Sequence, residues 1–80
     1  MIKFNKEVVA VTGGAGLIGS YLVDLLVEEG YKVIVIDDFS KGSIQNLNKN
    51  LNKIDLREGD LEDFSFTYKA LGDCEIVFHL

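Results

Sequence analysis

Short apolar runs alternate along this chain with stretches whose apolar residues recur every three or four positions, the pattern of repeated strand-helix units on a parallel sheet. Glu7-Val8-Val9-Ala10-Val11-Thr12 is a continuous apolar run ended by glycines and predicts a first strand covered on both faces. From Leu17 to Glu29, Leu17, Ile18, Tyr21, Leu22, Leu25 and Leu26 fall at helical spacing. Asp24 and Glu28 lie opposite them, and Gly30 stands where a left-handed cap is wanted. Lys32-Val33-Ile34-Val35-Ile36-Asp37 repeats the buried-strand signature, with an acid at its carboxyl end. Ser43 is placed to cap a helix carrying Ile44, Leu47 and Leu51 on one face, although four asparagines dilute its propensity. In Lys53-Ile54-Asp55-Leu56-Arg57-Glu58 the apolar residues alternate with charges, so one face or edge of this strand should meet water. A second helical piece is expected from Glu62 to Leu71; Gly72-Asp73 then leads into a fourth buried-type strand, Cys74 to Leu80.

Right-handed crossovers assemble these elements as an α/β, doubly wound parallel sheet with strand order 3-2-1-4. The fourth strand then lies beside the first and presents Ile76, Val77 and Phe78 along an edge, where charge, proline or cover is the rule. More sheet is therefore expected after it, and residues 1–80 read as the amino-terminal part of a larger domain, truncated after the fourth strand. A homodimer partner or a docked loop is the alternative cover.

Eighty residues, 48% of them apolar, fill at most one small domain, which excludes a complete two-domain enzyme. Eight Lys plus Arg against thirteen Asp plus Glu give a net charge of -5, arguing against a nucleic-acid or anionic-membrane partner. The single Cys74 cannot form an internal disulfide, and no run is long and apolar enough for a signal peptide or membrane span, so a cytoplasmic setting is expected. No metal site is expected.

The first strand and first helix are joined by Thr12-Gly13-Gly14-Ala15-Gly16-Leu17-Ile18-Gly19, which satisfies both G-x-x-G-x-x-G and G-x-G-x-x-G. A dinucleotide diphosphate needs hydrogen-bond donors, and a helix start presents free N–H groups carrying roughly half a positive charge. Gly13 is expected to make the turn, Gly16 to admit the phosphate and Gly19 to let helix and strand approach. A glycine triplet alone is a weak signal. Here it follows a buried-type strand, opens a helix, and precedes Asp37 by eighteen residues counted from Gly19, at the end of the second strand. The ordinary alternative is a tight turn followed by a solvated acid. A Walker-type loop is excluded because no Gly-Lys-Ser or Gly-Lys-Thr follows.

Asp37 is placed to accept hydrogen bonds from the adenosine ribose, and its charge opposes the 2'-phosphate of NADP, so NAD is favoured; Lys41 partly offsets that repulsion. Asp38 and Lys41 read equally as solvated loop charges. Asp60, just past the third strand, suits either ligand contact or a helix N-cap for the segment beginning near Leu61.

Val11-Thr12-Gly13-Gly14-Ala15-Gly16-Leu17-Ile18-Gly19-Ser20 resembles the signature loop of extended short-chain dehydrogenases/reductases, and more narrowly that of the NAD-dependent epimerase/dehydratase family acting on nucleotide sugars. Asp37-Asp38-Phe39-Ser40-Lys41-Gly42, with Asn46-Leu47 after it, resembles the ribose-binding stretch of its UDP-glucose 4-epimerase-like members. Gly59-Asp60-Leu61 is similar to the adenine-contacting turn, and Val77-Phe78-His79-Leu80 to the strand that runs up beside the cofactor. The resemblance implies a Rossmann-type NAD-binding fold, with diphosphate contacts from amides around Gly16, Leu17 and Ile18. It implies ribose contacts from Asp37 and Asp38, a ribose-side lining of Ser40, Lys41 and Gly42, and adenine contacts from Asp60 and Leu61. Two positions depart from the pattern: Leu17 replaces a common aromatic, and Asp38 stands where asparagine is usual. Neither change removes a backbone donor.

The family's hydride chemistry, on a nucleotide-sugar partner, uses a Tyr-x-x-x-Lys pair in which tyrosine is the acid/base. Tyr21, Tyr31 and Tyr68 are followed four positions later by Leu25, Val35 and Gly72, so these residues contain no such pair. His79 reads as a packed, hydrogen-bonded strand residue, and Cys74 as a small buried hydrophobe. The expected function is therefore NAD binding within a nucleotide-sugar epimerase or dehydratase; the alternative is a non-catalytic dinucleotide-binding or redox-sensing module.

Overall fold

The computed structural model describes residues 8–60, 62–63, 65–66, 69, 72 and 76–80. Strands β1 (Val8–Thr12), β2 (Lys32–Asp37), β3 (Ile54–Glu58) and β4 (Ile76–His79) form one sheet in the order β3-β2-β1-β4, with every pairing parallel. Val9 lies opposite Val33 on one side and Ile76 on the other, and Val33 in turn opposite Ile54. The expected doubly wound architecture and strand order are both present, with the charged β3 at one edge.

Because successive strand side chains point to opposite faces, the two central strands fill two cores at once. On one face Val11, Val33 and Val35 pack with Ala15, Val23 and Leu47. On the other, Ala10, Ile34 and Ile36 pack with Val8 and Phe66 at their margin. Burial on both faces is why these strands read as continuous apolar runs rather than as alternations.

Helix α1 (Leu17–Glu28) crosses from β1 to β2 and ends as expected at Gly30, whose φ of 91° is left-handed. The Gly30 and Tyr31 amides donate to the Val27 and Leu26 carbonyls at 3.0 and 3.1 Å, so the last turn closes with its carbonyls satisfied. Its packing face differs from the expected one. Gly19, Ser20 and Val23 are buried, with Leu22, Leu26 and Val27 partly so, whereas Leu17 (82%), Ile18 (79%) and Tyr21 (69%) are exposed. Small residues at 19 and 20 let the helix axis come close to the sheet, and that turns the bulky side chains outward.

The segment Ile44–Lys53 is 3-10 rather than α-helical, and it kinks at Asn50 (φ -123°, ψ 20°). Ser43 caps it as expected, its Oγ accepting the Gln45 N–H at 3.2 Å. The one apolar face expected of it reduces to Leu47: Ile44 and Leu51 are exposed, while the buried Asn50 donates to Asp24 Oδ1 at 2.7 Å. A three-residue period puts 47 and 50 on one face, which turns Asn50 inward and Leu51 outside, while Ile44 at the start of the segment stays exposed.

Strand β4 carries the expected apolar residues, and along it Ile76, Val77 and Phe78 are exposed. His79 is hydrogen-bonded as expected, Nδ1 lying 2.7 Å from Thr12 Oγ1 on the paired strand, but it too is exposed rather than part of a core. Of the helical piece expected over Glu62–Leu71, residues 65, 66 and 69 are helical; Leu61 and Tyr68, like Cys74 further on, lie outside the described residues.

Candidate functional site

At the carboxyl ends of β1, β2 and β3 a cleft of about 270 Å³ is lined by Gly13, Ile36, Asp37, Asp38, Gly59, Asp60, Glu62 and Leu80. Ligands of open parallel sheets bind at this end, where strands stop and helix starts point inward. A larger hollow of about 510 Å³ lies at the opposite ends, between Val8, Lys32 and Ile54. It includes neither Gly13 of the glycine loop nor the acids that follow β2 and β3, Asp37, Asp38 and Asp60.

The loop between β1 and α1 is held by its own backbone. Gly13, at φ 73°, donates to the Ile36 carbonyl at 2.8 Å, and its own carbonyl accepts the Gly16 N–H at 3.2 Å. At Gly19 a Cβ would lie 2.3 Å from the Gly13 oxygen, so helix and loop touch only because this side chain is missing. Gly16 is different. It has φ -75° and ψ 175°, open to any residue, and a Cβ there would meet nothing closer than the Gly13 oxygen at 3.5 Å. Neither sterics nor conformation inside the chain requires glycine at 16. That residue is the N-cap of α1, no side chain caps it, and the first turn holds no acid. The first-turn amides are thus left without a side-chain acceptor, and the carboxylate of Asp37 is bonded to the Ala15 N–H just before the N-cap.

Asp37, 9% exposed, closes the other side of the loop. Its Oδ2 accepts the Ala15 N–H at 2.9 Å and its Oδ1 the Phe39 N–H at 2.8 Å. Phe39 itself adopts φ 61°, a left-handed conformation costing about 1–2 kcal/mol for a residue with a side chain. A carboxylate offers about four lone-pair positions, so acceptor capacity remains on both oxygens. The adjacent Asp38 is exposed, its Oδ1 accepting the Ser40 N–H at 2.9 Å. That backbone bond, reinforced by the Ser40 hydroxyl, holds the Asp38 carboxyl below its ordinary value of 3.8. Asp60 lines the cleft and its Oδ1 accepts the Glu62 N–H at 2.8 Å within a turn, so it is not the expected N-cap; the helical residues 65 and 66 are met instead by Asp63, whose Oδ1 accepts the Phe66 N–H at 3.1 Å.

Of the residues singled out from sequence, Gly13, Asp37, Asp38 and Asp60 share this cleft. Gly16, Leu17, Ile18 and Gly19 form the helix start that follows Gly13 in the loop, and none of them is among the cleft's lining residues. Ser40, Lys41 and Gly42 follow β2 in the next turn and are not among the cleft's lining residues; Gly42 packs against Ala15 instead. Leu61 lies outside the described residues. Four lining residues were not among the expected contacts: Ile36, Gly59, Glu62 and Leu80. Leu80 could have been found: the strand order puts the end of β4 beside Gly13, and the Leu80 N–H donates to the Thr12 carbonyl at 3.3 Å. Among the described residues no cluster of His, Cys, Asp and Glu could hold a metal ion, and no helix is long and apolar enough to cross a membrane.

Comparison with known proteins gives the same picture. The family described as GDP-mannose 4,6 dehydratase matches residues 10–80. A putative UDP-glucose 4-epimerase of Methanocaldococcus jannaschii is 40% identical over 73 residues, covering 89% of this chain and 23% of the relative. The crystal structure of the Thermotoga maritima UDP-glucose 4-epimerase with UDP-glucose superposes with a TM-score of 0.81 at 41% identity, over 91% of this chain and 23% of that one. The Brucella ovis UDP-glucose 4-epimerase, solved in complex with NAD, gives 0.80 at 32% identity, over 92% and 22%. The chain thus spans about a quarter of the length of the curated relatives it matches. With the glycine loop, the acid after β2 and the 3-2-1-4 sheet already in view, the match over residues 10–80 means that this chain belongs to the NAD-dependent epimerase/dehydratase family.

Proposed function

We propose that the chain binds NAD in the cleft at the carboxyl ends of β1 and β2, as the cofactor-binding part of a nucleotide-sugar epimerase or dehydratase. One observation carries this reading. Gly16 lacks a side chain at a place where the fold would accept one, at the uncapped start of α1, so the space beside it belongs to a ligand. A diphosphate is the chemistry that fits, since it brings negative charge to free amides and to the positive helix end. The amides of Leu17 and Ile18 are the donors in this reading, and Asp37, already fixed by Ala15 and Phe39, accepts from the adjacent ribose hydroxyls.

Asp37 and Asp38 together set a negative field at the ribose, which opposes a 2'-phosphate and selects NAD over NADP. Asp60, with Leu61 beside it in sequence, takes the adenine side, and Ser40, Lys41 and Gly42 stand behind the ribose. When bound, NAD supplies a hydride acceptor; the residues of this chain bind and orient it. Solved relatives support the reading, one holding NAD and one UDP-glucose. Isothermal titration of the chain with NAD, repeated with Gly16→Ala, tests it: saturable binding that the substitution abolishes is expected.

A second reading, a dinucleotide-binding or redox-sensing module without catalysis, draws on the residues four positions after Tyr21, Tyr31 and Tyr68, none of which is lysine. It shares the cofactor site and differs in having no turnover of a nucleotide sugar.

A further inference from the structure

Ala15, in the middle of the glycine loop, is fully buried and gripped on both of its peptide groups. Its N–H donates to Asp37, and its carbonyl accepts two donors from the segment after β2: the Ser43 N–H at 3.0 Å and the Asn46 Nδ2 amide at 2.8 Å. The chain reaches this contact through Gly42, where a Cβ would sit 2.8 Å from the Ala15 carbonyl carbon. Asn46 is aimed by the 3-10 turn that Ser43 caps, its own N–H donating to the Ser43 carbonyl at 3.0 Å, and by Leu47, which is buried next to it.

A peptide is planar, so the Ala15 carbonyl and the Gly16 N–H turn as one unit. Holding that carbonyl fixes the residue that opens α1. The Ser43 bond is main chain and survives any substitution at 46, whereas the Asn46 bond depends wholly on its side chain. From this geometry we infer that Asn46, 31 residues from Ala15, is a positioning residue: its side-chain amide holds the glycine loop and the α1 start in the shape that receives the cofactor diphosphate. The cofactor half of this inference rests on the NAD reading above; the loop half does not.

Asn46→Asp tests both, because it keeps the size of the side chain but replaces the donor with an oxygen facing a carbonyl. The exposed Asn48 of the same segment, as Asn48→Ala, is the control. Amide hydrogen exchange without cofactor is expected to accelerate about tenfold at Ala15 and Gly16 in Asn46→Asp, as for the loss of one hydrogen bond, while the core amide of Val35 and the control protein stay unchanged. NAD affinity is expected to fall about tenfold in parallel. Unchanged loop exchange, or an increase spread equally to Val35, overturns the positioning role whether or not NAD binds. Faster loop exchange with undiminished NAD affinity overturns the link to the cofactor. A parent chain that fails to bind NAD sinks the functional reading separately, and the exchange measurement still judges Asn46.

Discussion

The carboxylate of Asp37 accepts the backbone N–H of Ala15 at 2.9 Å, joining the end of the second strand to the glycine loop 22 residues earlier. The acid expected to grip a ribose is thus also a structural tie, and the two roles are compatible because a carboxylate accepts more bonds than these two amides supply.

Asp37→Asn separates the roles. One amide N–H would face the nitrogen that now holds a carboxylate oxygen, so a buried bond to a charged acceptor is lost. Urea denaturation should show a destabilisation of about 1.5–3 kcal/mol. Stability equal to that of the parent would mean that the tie carries no weight.

The two glycines of the helix start should behave oppositely. Gly19→Ala forces a methyl to within 2.3 Å of the Gly13 oxygen and should cost stability by about 3 kcal/mol, at the upper end of overpacking effects. Gly16→Ala should melt with the parent and lose NAD binding. Equal thermal destabilisation of the two variants would remove the argument that Gly16 is reserved for a ligand.

In the 3-10 segment, Leu47→Ala should destabilise by about 2–5 kcal/mol, because the side chain is fully buried against Val23 and Val35. Leu51→Ala, 38% exposed, should cost less than about 1 kcal/mol. Equilibrium unfolding of both variants compares them directly, and similar losses would restore the single apolar face that the spacing suggested.

How much could be read in advance follows from which physical signal each element carries. The strands and their order were legible because two-faced burial writes continuous apolar runs, and the right-handed crossover leaves few arrangements. The packing face of α1 was not. Periodicity counts bulky apolar residues such as Ile18 and Tyr21, while the helix approaches the sheet through Gly19, Ser20 and Val23. The glycine loop and Asp37 were visible from motif and spacing. The bonds from Asn46 and Ser43 to Ala15 were not, since a contact between side-chain amide and backbone across 31 residues leaves no periodic trace.

Asp38 should titrate below its ordinary value of 3.8, since the Ser40 N–H and hydroxyl favour the ionised form. A carboxyl depressed in the folded state contributes stability that is complete above the unfolded value and is lost as pH falls through the folded one. The bond to Ser40 should therefore persist unchanged at neutral pH and weaken only below about pH 3.8. Carbon-detected NMR titration of the side chain reads this; a midpoint at or above 3.8 would contradict the bond.

Titration of the folded chain with NAD and with NADP, followed by amide chemical shifts, shows whether and where the cofactor sits. Saturable NAD binding is expected, with the largest shifts at Gly16, Leu17, Ile18 and Asp37, and weaker binding of NADP because of the two adjacent carboxylates. Shifts absent from the α1 start, or strongest around Lys32 and Ile54 at the far end of the sheet, would contradict that placement.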